Sequence, residues 1–152
     1  RTGCDAARSE GPDSRGRGSC AGRASVIVLD ASAAVSALLN DGPARRLVGV
    51  EDLHAPHLVD AEVVSVLRRL VGARALSARA GRACLDAFGR LGLYRYAGAP
   101  LFDRVWELRA AVSPYDAMYV ALAENLDCVL VTADARLSRA RGIRCAVTVI
   151  PG

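Results

Sequence analysis

Two short apolar runs, each leading into an aspartate, constrain the fold of this chain more than any other feature. Ser25–Leu29 (SVIVL) is continuously apolar rather than alternating, as a strand buried on both faces requires, and it stops at Asp30. Cys128–Val131 (CVLV) repeats the design and leads through Thr132 to Asp134. Such strands need cover on two sides, and the sequence between them supplies it. Ala31–Asn40 reads as a helix, and Pro43 opens a short second one. Leu53–Ala55 is a brief strand before His57–Val71, where Val59, Val63, Val66 and Leu70 share one helical face. Ser77 caps a helix to about Arg90, Leu93–Ala97 is a strand, and Pro100–Val112 is helical. Another helix opens at Ser113. Ala133–Arg141 is expected to be helical and Ala146–Ile150 to form the last strand. Strands alternating with helices, over crossovers too long for hairpins, predict an α/β fold with a parallel sheet covered on both faces.

At 152 residues the chain has one domain's length, and a hydrophobic fraction of 52% suits a compact body. The expected domain is 25–152. Residues 1–24 are Gly-, Arg- and Ser-rich without periodicity and are expected to be a disordered extension. They lack an initiating Met, which fits either non-native sequence or a translated upstream stretch, with a start near Val26 or Val28. An Arg-rich arm touching RNA is the weaker alternative. Every one of the 20 basic residues is Arg, so no mechanism that needs a lysine is open to this chain. The net charge is +4, and residues 25–152 carry 15 Arg against 13 acids. If several acids crowd one pocket, the remaining surface is basic, which suits a polyanion held over a metal site. The five cysteines show neither a CxxC pair nor zinc-ligand spacing, an arrangement that fits a reducing cytoplasm. His54 and His57 have no partners to complete a ligand set and are expected to be structural. No apolar run reaches transmembrane length.

The chemistry rests on carboxylates, each with an ordinary explanation of its own. Asp30 ends a buried strand, where open parallel sheets bind ligands, but it also suits a helix N-cap. Asp134 repeats that position, with stabilisation by a helix dipole as its alternative. Asp116 falls at the third helical position after Ser113 and Pro114, a capping-box place. Glu62 lies in the first turns of the helix from His57; Asp60 is its rival, and only one of the two can point at a given cluster. Together the four can converge from the starts of four helices. Two carboxylates about 4 Å apart repel by roughly 4 kcal/mol at an effective dielectric near 20. Such a cluster therefore keeps protons or binds a cation, and all-oxygen ligands select Mg²⁺ or Mn²⁺.

Three segments carry a resemblance: VIVLDASAAVSALL, HLVDAEVVSVLRRL and SPYDAMYVALAENLDCVLVTADARLSRA. In this order and spacing the chain from Ser25 to about Gly152 resembles a PIN-domain ribonuclease, specifically the VapC toxin of a bacterial type II toxin–antitoxin pair. The resemblance implies a five-stranded parallel sheet flanked by helices. It also implies a metal site of Asp30, Glu62, Asp116 and Asp134, with Ser32 and Thr132 as auxiliary hydroxyls orienting a ligand, water or phosphate. It further implies endoribonuclease activity on transfer or ribosomal RNA, a VapB-type antitoxin as partner, and a homodimer. Arg68, Arg69, Arg136 and Arg139 are candidate phosphate contacts that solvated helix faces explain equally well, so they stay outside the site.

Three other classes compete. A non-catalytic PIN-like module that binds RNA or protein would be marked by a lost acid, and none is lost. A phosphoacceptor receiver domain needs an acid pair at the first strand and a lysine. A haloacid-dehalogenase-type phosphatase needs a second acid at position 32, which is Ser32.

Overall fold

The computed structural model describes residues 25–151; the extension at 1–24 lies outside the described residues. Five strands form one sheet, β1 (Val26–Leu29), β2 (Asp52–Pro56), β3 (Leu93–Tyr96), β4 (Val129–Thr132) and β5 (Val147–Val149). All neighbours pair parallel, in the order β3-β2-β1-β4-β5. The chain builds outward from β1 to β3, then returns to place β4 on the other side of β1. The order thus reverses between β1 and β4, where the carboxyl ends of the strands open a crevice.

The helices are α1 (Ala31–Leu39), α2 (Pro43–Val48), α3 (Leu58–Gly72), α4 (Ala78–Gly89), α5 (Phe102–Glu107) and α6 (Pro114–Asn125). They fall into two packed groups, α1–α4 and α5–α6. Val28 and Leu29 point to opposite faces of β1 and are both fully buried, so each face of the central strand is covered. Val59, Val63 and Leu67 of α3 and Val120 and Leu122 of α6 complete the core. Ser77 caps α4 by accepting from Ala80 N at 3.1 Å, and Ser113 caps α6 by accepting from Asp116 N at 3.1 Å.

Two expected helices differ. Pro100–Val112 breaks into a 3₁₀ turn (Ala99–Leu101), the short α5 and a second 3₁₀ turn (Leu108–Ala110). Ala133–Arg141 is not an α-helix: it holds a single 3₁₀ turn, Leu137–Arg139. The segment buries only Leu137, so no apolar stripe is present to hold further turns on the core. Asp134 also accepts from the Arg136 backbone N–H at 2.9 Å, a local turn that competes with a helical start. Asp134 therefore does not sit at an α-helix N-terminus.

Candidate active site

Asp30 lies at the reversal point, 7% exposed, its carboxylate held by groups from α1 and β4. As the N-cap of α1 its Oδ1 accepts from Ala33 N at 2.7 Å, and the Ser32 hydroxyl donates to the same oxygen at 2.7 Å. Its Oδ2 accepts from the Thr132 hydroxyl at 2.6 Å. The two hydroxyls are themselves fixed: Ser32 accepts from Ala133 N at 2.8 Å and Thr132 from Asp134 N at 2.9 Å. Ser32 and Thr132 thus direct their protons to Asp30 and orient the carboxylate. Burial pushes the Asp30 carboxyl above its ordinary range; the hydrogen bonds pull it back, and the charge of Asp116 pushes it further up.

Glu62 faces the same region from the second turn of α3. The Tyr119 hydroxyl donates to its Oε2 at 2.5 Å. Burial, and behind it the charges of Asp30 and Asp116, raise the Glu62 carboxyl above the usual glutamate range, against the Tyr119 hydrogen bond. The rival Asp60 turns away to Arg95, whose Nε donates to both of its oxygens at 2.9 Å. Asp116 stands in the first turn of α6, where Ser113 donates to its Oδ2 at 2.7 Å. The charge of Asp116 thus reaches Asp30, and the charges of Asp30 and Asp116 reach Glu62.

Asp134 behaves differently. It lines a cleft of about 460 Å³ with Asp116, Ser113 and Leu137, but Arg136 grips both of its oxygens at 2.6–3.0 Å. The Arg136 hydrogen bonds hold its carboxyl below the ordinary aspartate range. Among the described residues, no group of three or more His, Cys, Asp or Glu is gathered closely enough to hold a metal ion. The donor chemistry still fits one. Of the four lone-pair positions of the Asp30 carboxylate, three are taken by described residues, which leaves one on Oδ2. Glu62 Oε1 and Asp116 Oδ1 have no described donor. All three are hard oxygens with mutually repelling charges, the set that suits Mg²⁺ or Mn²⁺.

Two contributors escape a reading of the sequence alone. Tyr119 lies one helical turn beyond Asp116, so its spacing signalled a shared face. Arg136, a candidate phosphate contact left outside the site, is exposed and bound to Asp134. The histidines take no part: His54 stacks on Tyr94 at 4.9 Å and meets the Tyr96 hydroxyl at 2.8 Å, and His57 is exposed at the start of α3. Burial pushes the Cys145 thiol up to about 11, which makes it a poor nucleophile or ligand.

This geometry has relatives. The PIN domain family profile matches residues 27–143. Ribonuclease VapC9 of Mycobacterium tuberculosis is 56% identical over 126 residues, covering 83% of this chain and 99% of the relative. Among solved structures, PAE2754 from Pyrobaculum aerophilum superposes with a TM-score of 0.64 at 21% identity, over 90% of this chain and 92% of that one. VapBC2 from Rickettsia felis, solved bound to a DNA fragment from its promoter, gives 0.60 at 16% identity, over 82% and 98%. The chain belongs to the PIN domain family and, within it, to the VapC ribonucleases.

Proposed function

We propose that this VapC-family ribonuclease is a metal-dependent endoribonuclease toxin that hydrolyses phosphodiester bonds of structured RNA, transfer or ribosomal, in the cytoplasm. The observation that carries the reading is the Asp30 carboxylate, fixed by Ser32, Ala33 and Thr132 at the sheet's reversal point, in the field of Asp116 and itself raising Glu62. Asp30, Glu62 and Asp116 would hold Mg²⁺ or Mn²⁺, with Asp134 joining once Arg136 releases it. The bound cation would supply an activated water and offset charge on the reacting phosphate. Tyr119, kept protonated by burial and by its bond to Glu62, holds that carboxylate in place. A VapB-type antitoxin is the proposed inhibitor, supported by the VapC relationship and the VapBC neighbour; a homodimer is the proposed assembly, as the family resemblance implies.

The test is cleavage of total host RNA by wild type, Asp30→Asn and Asp116→Asn. Wild type is expected to cut with Mg²⁺ or Mn²⁺, EDTA to abolish cutting, and both variants to lose at least about a hundredfold. Equal cutting by all three would remove the catalytic assignment. Failure of wild type to cut any RNA, while still binding it, would favour a non-catalytic PIN module. Antitoxin co-expression is expected to relieve growth arrest, and sedimentation to read a dimer.

A further inference from the structure

A second cleft, lined in part by Glu62, has a different character. It measures about 340 Å³ and is lined by Leu58, Ala61, Glu62, Ser65 and Tyr115. Glu62 belongs to the proposed metal site, so whatever occupies this cleft lies beside the reacting bond. Tyr115 is the residue immediately before Asp116, in the first turn of α6. Consecutive helical residues diverge by about 100°. Asp116 consequently lines the cleft that holds Asp134 and Arg136, and Tyr115 lines the one that holds Glu62. The ring is 62% exposed, although no core packing calls for an aromatic there. Beside it the wall is apolar, from Leu58 and Ala61, with Ser65 as a small polar contact.

We infer that the Tyr115 cleft is a nucleobase subsite, in which an unpaired base next to the cut stacks on the Tyr115 ring. The two clefts divide a nucleotide strand by chemistry. The side with Arg136 offers, once Asp134 is released, a cation suited to phosphate, and the side with Tyr115 offers a flat apolar face suited to a base. A strand lying across Asp116 meets both at once, with the carboxylates between them. An aromatic face accepts any base, so this subsite selects unstacked, single-stranded nucleotides ahead of duplex. The inference rests on the nuclease reading above.

The probe is a 12-nucleotide single-stranded RNA of mixed sequence with 2-aminopurine at its centre, read in EDTA so that no strand is cut. Wild type is expected to bind it and to quench the 2-aminopurine, as stacking does. Tyr115→Ala is expected to lose about tenfold to a hundredfold in affinity, and to lose the quench. Tyr115→Phe and Tyr115→Trp are expected to keep both. Because Tyr115 is exposed, the melting temperature of the Ala variant should match wild type. Equal binding and equal quenching by Tyr115→Ala would overturn the subsite while leaving the nuclease reading intact. If wild type neither binds the probe nor cuts total RNA, both fail. If Tyr115→Ala weakens only the complex with a VapB-type antitoxin, the occupant is a protein segment and the subsite is again overturned.

Discussion

The Asp30 carboxylate carries information about its neighbours because so little of it is free. Its two hydroxyl donors come from positions 32 and 132, and each is fixed in turn by a backbone N–H of the β4 exit. Residues that orient a metal ligand are worth about ten- to a hundredfold in metal affinity or activity. Thr132→Val and Ser32→Ala are each expected to weaken Mn²⁺ binding by that much in titration calorimetry, with Thr132→Val the more severe because its hydroxyl is fully buried. Unchanged Mn²⁺ affinity in both would separate the hydroxyls from the site. Arg136 acts in the opposite direction, since its guanidinium occupies the oxygens Asp134 would offer a cation. The pair is exposed on the arginine side, so its competition is modest. Arg136→Ala is expected to tighten Mn²⁺ binding about twofold to fivefold while weakening RNA binding; weaker Mn²⁺ binding would contradict it.

Among the elements, α5 depends on a polar clasp more than on apolar packing. Arg104 donates to both oxygens of Glu124 on α6 at 2.6 and 3.0 Å, and also to the Gly142 carbonyl at 2.6 Å. The Arg144 backbone N–H adds a bond to Glu124 at 2.7 Å. Burial pushes the Glu124 carboxyl up, but Arg104 and the Arg144 contacts together carry it below its ordinary range. A depressed folded value means that the contribution to stability is complete above the unfolded glutamate's titration and fades as pH falls through the folded one. Wild type is therefore expected to lose melting temperature on acidification through and below the usual glutamate range, and Glu124→Gln to flatten that slope. Arg104→Ala, which leaves a largely buried carboxylate with only its Arg144 contacts, is expected to cost about 1–3 kcal/mol in denaturant unfolding. The same elements set the limit of what the sequence makes legible. The strands at 26–29 and 129–132 are readable because continuous apolar runs have few alternatives, and Asp30 follows from them. The stretch after Asp134 is not: its composition permits a helix, but Leu137 alone is buried there, and that is a property of the packing. Asp116 and Glu62 lie between these cases, since ordinary helix chemistry describes both and only the assembled fold brings them within range of Asp30.

For the whole molecule, crowding acids at one end of a sheet costs stability that a cation can return. Burial and mutual repulsion raise the Asp30 and Glu62 carboxyls, so a bound divalent ion acts on folding as well as on chemistry. At a concentration about a hundred times its dissociation constant, such an ion stabilises the folded state by roughly 2.7 kcal/mol. For a domain of this size that corresponds to a melting rise of roughly 5–10 °C, expected for wild type and absent in Asp30→Asn. An equal rise in both would place the cation elsewhere. Among the described residues, no helix is long and apolar enough to cross a membrane. The sheet order has a consequence for synthesis as well. Asp30 is made early, but the hydroxyl that orients it comes from Thr132, 102 residues later. Every carboxylate assigned to the metal needs β4 seated beside β1 before the set is complete. On the nuclease reading proposed above, a nascent chain that still lacks β4 is in a form that cannot cut. On the proposed reading, the cradle around Asp30 is complete only once β4 has been made, and an antitoxin that recognises the folded mouth of the site has nothing to intercept before then.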